Sequence, residues 1–108
     1  MYGFKIKPGV HGKLSLTMDP ALDAVKKIFM KYGFFPVITS IEDGNHKSGS
    51  KHYQNLAFDV RLNDIPEKIH EILNREINDL LGKEFDVIHE YHGTPRDHLH
   101  IEFEGLFT

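Results

Sequence analysis

The chain has 108 residues, no cysteine, and thirteen basic against sixteen acidic side chains, a net charge of −3 with histidine neutral. That length fits one domain, and the missing cysteines exclude disulfides, cysteine-ligated zinc fingers and thiol catalysis. The acidic balance argues against a nucleic-acid binder, which would carry a basic excess.

The first elements follow from local signals. Residues 1–6 read as a short strand stopped by Pro8-Gly9. Asp19-Pro20 reads as a helix start, with Asp19 as N-cap and Pro20 at the first helical position. Leu22, Val25, Ile28 and Phe29 share one face of that helix, and Gly33 ends it. Residues 36–41 read as a strand. Residues 42–51 are polar and glycine-bearing, hence a loop. Leu56 to Leu62 alternates, with Phe58, Val60 and Leu62 on one face and Ala57, Asp59 and Arg61 on the other. Asp64 is placed to cap a second helix with Pro66 in its first turn. Its apolar stripe is Ile65, Ile69, Ile72, Leu73, Ile77 and Leu80, and Gly82 ends it. Residues 85–89 and 98–103 read as strands joined by a short polar link, which favours an antiparallel pair. The expected fold class is α+β: a single domain with a mainly antiparallel sheet of four to five strands and two helices on one face.

Eight histidines in so short a chain are unusual, and the last strand concentrates two of them. Leu99, Ile101 and Phe103 face a core, so His98, His100 and Glu102 occupy the opposite face. Alternate residues of one strand face lie about 6.5–7 Å apart, close enough to serve one site. Asp59 lies on the corresponding face of its own strand, with His52 seven residues earlier. His52, Asp59 and His100 thus form a candidate metal-ligand set of mixed nitrogen and oxygen donors. Three protein ligands with an open fourth position is the arrangement of catalytic zinc. Asp97 would be a carboxylate beside that position, able to accept and return a proton. From spacing alone, a His-x-His strand is as readily a solvated surface pair.

Two segments resemble one family. Residues 39–60 contain Ser50, His52, Ala57, Asp59 and Val60 in the pattern Ser-x-His-x-x-Gly-x-Ala-x-Asp followed by an apolar residue. Residues 97–103, Asp-His-Leu-His-Ile-Glu-Phe, supply an acidic residue followed by His-x-His. Together they resemble the zinc D-alanyl-D-alanine carboxypeptidases and L-alanyl-D-glutamate endopeptidases, which share their fold with the hedgehog signalling domain. The resemblance implies a Zn2+ cofactor held by His52, Asp59 and His100, Asp97 as general base and acid, and His98 as a catalytic partner that orients substrate. Asn55 stands where the pattern has glycine; asparagine tolerates a left-handed backbone. The family's upstream arginine has no counterpart between Tyr32 and Lys51. His46, Lys47, Lys51 or Arg61 would take its place, and His46 with Ser50 is assigned to substrate binding.

The implied activity is a zinc-dependent peptidase acting on the stem peptides of bacterial peptidoglycan, as in a phage or prophage endolysin. The chain is expected to be a monomer without membrane insertion, made in the cytoplasm without a signal peptide, and acting at the cell wall or periplasm. The competing function is a non-catalytic, metal-stabilised binding module. His89-Glu90-Tyr91-His92 is one residue short of the zincin motif His-Glu-x-x-His and falls at a strand end, so it is set aside, with Glu90 or His92 left at a cleft rim. His11 and His70 are expected to face solvent.

Overall fold

The computed structural model describes residues 5–10, 12–41 and 55–105. Its elements run β1 (Lys5–Ile6), α1 (Asp19–Lys31), β2 (Val37–Ser40), β3 (Ala57–Arg61), α2 (Glu67–Leu81), β4 (Phe85–Glu90) and β5 (His98–Phe103). Five strands form one sheet in the order β1-β2-β3-β5-β4. Only β1 and β2 pair in parallel; the β2–β3, β3–β5 and β4–β5 pairs are antiparallel. The fold is the α+β class expected from the sequence.

Helical entry differs from expectation at both helices. A 3-10 turn over Leu16–Met18 precedes α1, and the Ser15 hydroxyl accepts the Thr17 N–H at 3.2 Å. Ser15 is therefore the capping side chain, and Asp19 is already the first α-helical residue, where its charge suits the helix dipole. At α2 the cap position belongs to Pro66, whose extended ψ of 131° carries the chain into Glu67. Asp64 does not cap; its Oδ2 accepts a hydrogen bond from Arg61 Nη2 at 3.1 Å. The end of α1 follows expectation. Gly33 has φ +88°, and beyond it the Phe34 N–H returns to the Phe29 carbonyl at 3.0 Å, a closure that needs the left-handed residue between.

Both helices cover one face of the sheet. From α1 the buried residues are Ala21, Leu22, Ala24, Val25, Ile28 and Phe29, the three-and-four spacing of a single apolar stripe. They meet Phe58 and Val60 of β3, Phe85 and Val87 of β4, and Leu99 and Ile101 of β5. The buried line of α2 is His70, Leu73 and Ile77, whereas Leu80 is exposed. A histidine therefore occupies the inner face of α2, contrary to its expected solvent position. With one sheet face occupied by helices, the alternate residues of β3, β4 and β5 lie on the other, which carries no helix among the described residues and is termed the open face. The polar character of that face is a consequence of strand periodicity.

Candidate metal centre

The register of β3, β5 and β4 arranges the open face in three rows. Ala57, Glu102 and Asp86 form the first; Asp59, His100 and Ile88 the second; Arg61, His98 and Glu90 the third. Asp59 and His100 are thus direct cross-strand partners at the middle of the sheet. The His100 Nδ1 lies 3.0 Å from Asp59 Oδ1, and its Nε2 lies 2.6 Å from Glu102 Oε1. Both residues are buried although they face away from the helices. His98 Nε2 is 2.9 Å from Glu90 Oε1 and 3.6 Å from Asp59 Oδ2, and its Nδ1 is bound to the Arg96 carbonyl at 2.7 Å.

This face is rich in acceptors. Burial by itself would push His100 down, but hydrogen bonds to Asp59 and Glu102, with the charges of Asp59 and Glu90, push it up to about 9. Asp86 is raised by a hydrogen bond shared with Glu104, by burial and by the charge of Glu104. A positive charge among these carboxylates is therefore strongly favoured. Ligand atoms of Asp59, Glu90 and His98 lie within 4.8 Å of one another. Asp59 is the buried member of this set, and carboxylate and imidazole donors of this kind fit a divalent ion such as zinc, while nitrogen–oxygen sets also admit other divalent metals.

Asp59, His98 and His100 are therefore brought together as the sequence suggests. His52, with the substrate-side candidates His46 and Ser50, lies outside the described residues. Asn55, at the entrance to β3, has φ +60°, the left-handed conformation allowed for by its place in the motif. Arg61, considered as a replacement for the family's arginine, directs Nη2 to Asp64.

Asp97 departs from its expected place. It precedes Leu99 by two residues, and its buried carboxylate turns to the helix-covered side. There Oδ1 lies 2.5 Å from His89 Nε2, Oδ2 accepts the Gly93 N–H at 2.9 Å, and Oδ2 is 3.6 Å from His70 Nδ1. The cause is the turn after β4. Tyr91 at φ +55° and Gly93 at φ +78° reverse the chain, the Thr94 N–H bonds to the Tyr91 carbonyl, and the Asp97 N–H bonds to the Thr94 carbonyl. These contacts fix the Asp97 backbone before β5 begins. Burial pushes the Asp97 carboxyl up, but the Gly93 N–H, the His89 ring and the His89 and His70 charges outweigh it and hold it below its ordinary value.

Neither His70 nor His89 belongs to the two motifs that carry His52, Asp59 and His100. Their periodicity is nevertheless legible. His70 precedes Leu73 by three and Ile77 by seven on α2, and His89 continues the inward alternation of Phe85 and Val87 on β4. No helix among the described residues is long and apolar enough to cross a membrane. The chain matches no protein-family model, and no curated protein matches it significantly.

Proposed function

We propose that this protein is a zinc-dependent peptidase of bacterial cell-wall stem peptides, with its reaction centre on the open face of the sheet around Asp59 and His100. The observation that carries the proposal is the buried cross-strand pair of Asp59 and His100, 3.0 Å apart, in a setting that favours a cation. The two sequence motifs that resemble the zinc carboxypeptidases and endopeptidases supply the substrate class. In this reading Asp59 and His100 hold the metal together with His52. A zinc ion in such a set supplies Lewis acidity, making water a nucleophile near neutral pH and polarising the scissile carbonyl.

The chain's own residues handle the protons. Asp97 is committed to His89 and Gly93 on the other side of the sheet, so the proton role passes to Glu90. Its carboxylate stands at the rim, 41% exposed, with Oε1 on His98 Nε2. From there Oε1 accepts a proton from the attacking water and returns it to the departing amine. His98, anchored through Nδ1 on the Arg96 carbonyl, orients Glu90 and presents an imidazole edge to the substrate. Glu102 holds His100 from the far side, as outer carboxylates do for ligating histidines.

The position of Asp97 favours one alternative, a metal-binding module without hydrolytic activity. Incubating zinc-loaded protein with purified peptidoglycan, and identifying new amino termini by mass spectrometry, separates the two. Release of stem-peptide termini that chelation abolishes is the expected result. Zinc uptake without any released termini would leave the binding module.

A further inference from the structure

A second histidine–carboxylate cluster lies across the sheet from the open face. His70 comes from α2, His89 from the end of β4, and Asp97 from the turn before β5. Ligand atoms of the three lie within 4.8 Å of one another. His70 and Asp97 are each 4% exposed, and the His89 side chain is 17% exposed. The cluster is therefore enclosed except on the His89 side.

The two nitrogens of the His70 ring have different surroundings. Its Nε2 lies 2.7 Å from the Ile65 carbonyl, an acceptor only, so that nitrogen carries hydrogen and donates. The other nitrogen, Nδ1, is buried, has no hydrogen-bond partner, and is aimed at Asp97 Oδ2 from 3.6 Å. In the neutral ring this sets a nitrogen lone pair against a carboxylate oxygen, two electron-rich atoms 3.6 Å apart. Leaving a buried polar atom unsatisfied is destabilising, and a cation between the two satisfies both.

The spacing suits a metal. Two ligands each ~2.0 Å from a tetrahedral ion lie about 3.3 Å apart, close to the 3.6 Å between His70 and Asp97. The surrounding contacts are also those of ligating groups. A ligating histidine usually donates its other N–H to a carbonyl or carboxylate, which fixes the tautomer and ring orientation; Ile65 does this for His70. The Gly93 N–H steadies the Asp97 carboxylate. His89 Nε2, now 2.5 Å from Asp97 Oδ1, would exchange its proton for the ion.

We infer that His70, His89 and Asp97 form a second binding site for a divalent transition metal of the zinc class, on the helix-covered side of the sheet. Bound there, the ion ties α2, β4 and the start of β5 together and so fixes the strand that carries His98 and His100. The inference does not depend on the open-face reading.

Zinc titration of chelator-stripped protein tests it, with stoichiometry read by calorimetry and folding checked by circular dichroism. Wild type is expected to take up one zinc at each face. His100→Ala retains the helix-side zinc, His89→Gln retains the open-face zinc, and the double variant binds none. If wild type binds zinc but folded His100→Ala binds none, or if His89→Gln leaves the stoichiometry of wild type unchanged, the inference falls and the cluster is a hydrogen-bonded His–Asp pair only. If uptake survives in His100→Ala but vanishes in His89→Gln, the inference stands and the open-face reading fails. Should His100→Ala not fold, wild type against His89→Gln decides alone, with loss of one equivalent expected. His89 is partly exposed and glutamine retains a polar side chain, so that variant spares the core.

Discussion

The two sides of the sheet use the same residue types in opposite settings. On the open face His98 and His100 face four carboxylates, those of Asp59, Glu90 and Glu102 directly and Asp86 through its charge. On the helix-covered side a single carboxylate, Asp97, serves two histidines. The first setting has an excess of acceptors and raises its central histidine. The second has an excess of nitrogens and lowers its carboxyl. Both invite a cation, the open face to offset carboxylate charge and the covered side to join a lone pair to a carboxylate. In each the shift follows from hydrogen bonds and neighbouring charge and runs against burial, which alone would lower His100 and raise Asp97.

The largest expected effect comes from breaking the open face at its centre. Asp59→Ala removes the partner of His100 and is expected to abolish peptidoglycan hydrolysis together with open-face metal uptake. Substantial hydrolysis by a folded Asp59→Ala protein would move the reaction centre elsewhere, the helix-covered cluster being the next place to look.

Glu90→Gln asks which carboxylate handles the proton. Loss of a general base typically costs about 10²–10⁴ in rate, and a fall of that size in kcat with metal content unchanged is expected. Near-normal turnover would remove Glu90 from the mechanism.

Asp97→Asn tests the other side. The exchange removes the charge from the contact with His89, so a stability loss of about 1–3 kcal/mol is expected, read by denaturant unfolding. A collapse in turnover at unchanged stability would instead show Asp97 serving the open face.

The remaining effects are in pH, and the two sides respond at opposite ends. For chelated protein, the Asp97 carboxyl is held below its ordinary 3.8. Its contribution to stability is present above that value and lost as the pH falls through the lower folded one. His100 is raised from 6.5 to about 9. Its contribution is complete below 6.5 and lost as the pH rises through about 9. Unfolding measured across pH is expected to show both limbs, with Asp97→Asn losing the acid limb and His100→Gln the alkaline one. An alkaline limb persisting in His100→Gln would assign it to another group.

Much of this was legible in the chain itself. The alternation of Phe58, Val60, Leu99 and Ile101 assigns Asp59, His98 and His100 to one face, because side chains on a strand repeat every two residues. The stripe of α1 was equally clear, since Leu22, Val25, Ile28 and Phe29 keep helical spacing and all are buried. The helix starts were less so. Ser15, Asp19, Asp64 and Pro66 are all credible starting residues, and the approach of the preceding chain chooses among them.

Strand periodicity therefore assigns the faces of β3 and β5 and brings acid and imidazole to the same side. The neighbours of Asp97 follow from packing alone. Its carboxylate lies beside His98 in the chain, yet it meets His89, eight residues back across a turn, and His70 from a helix packed on the far side of the sheet. Periodicity is a local property and can assign a side chain to a face. Which residues share that face at one point depends on strand order, register and helix docking, and these are settled by burial of the whole apolar surface together.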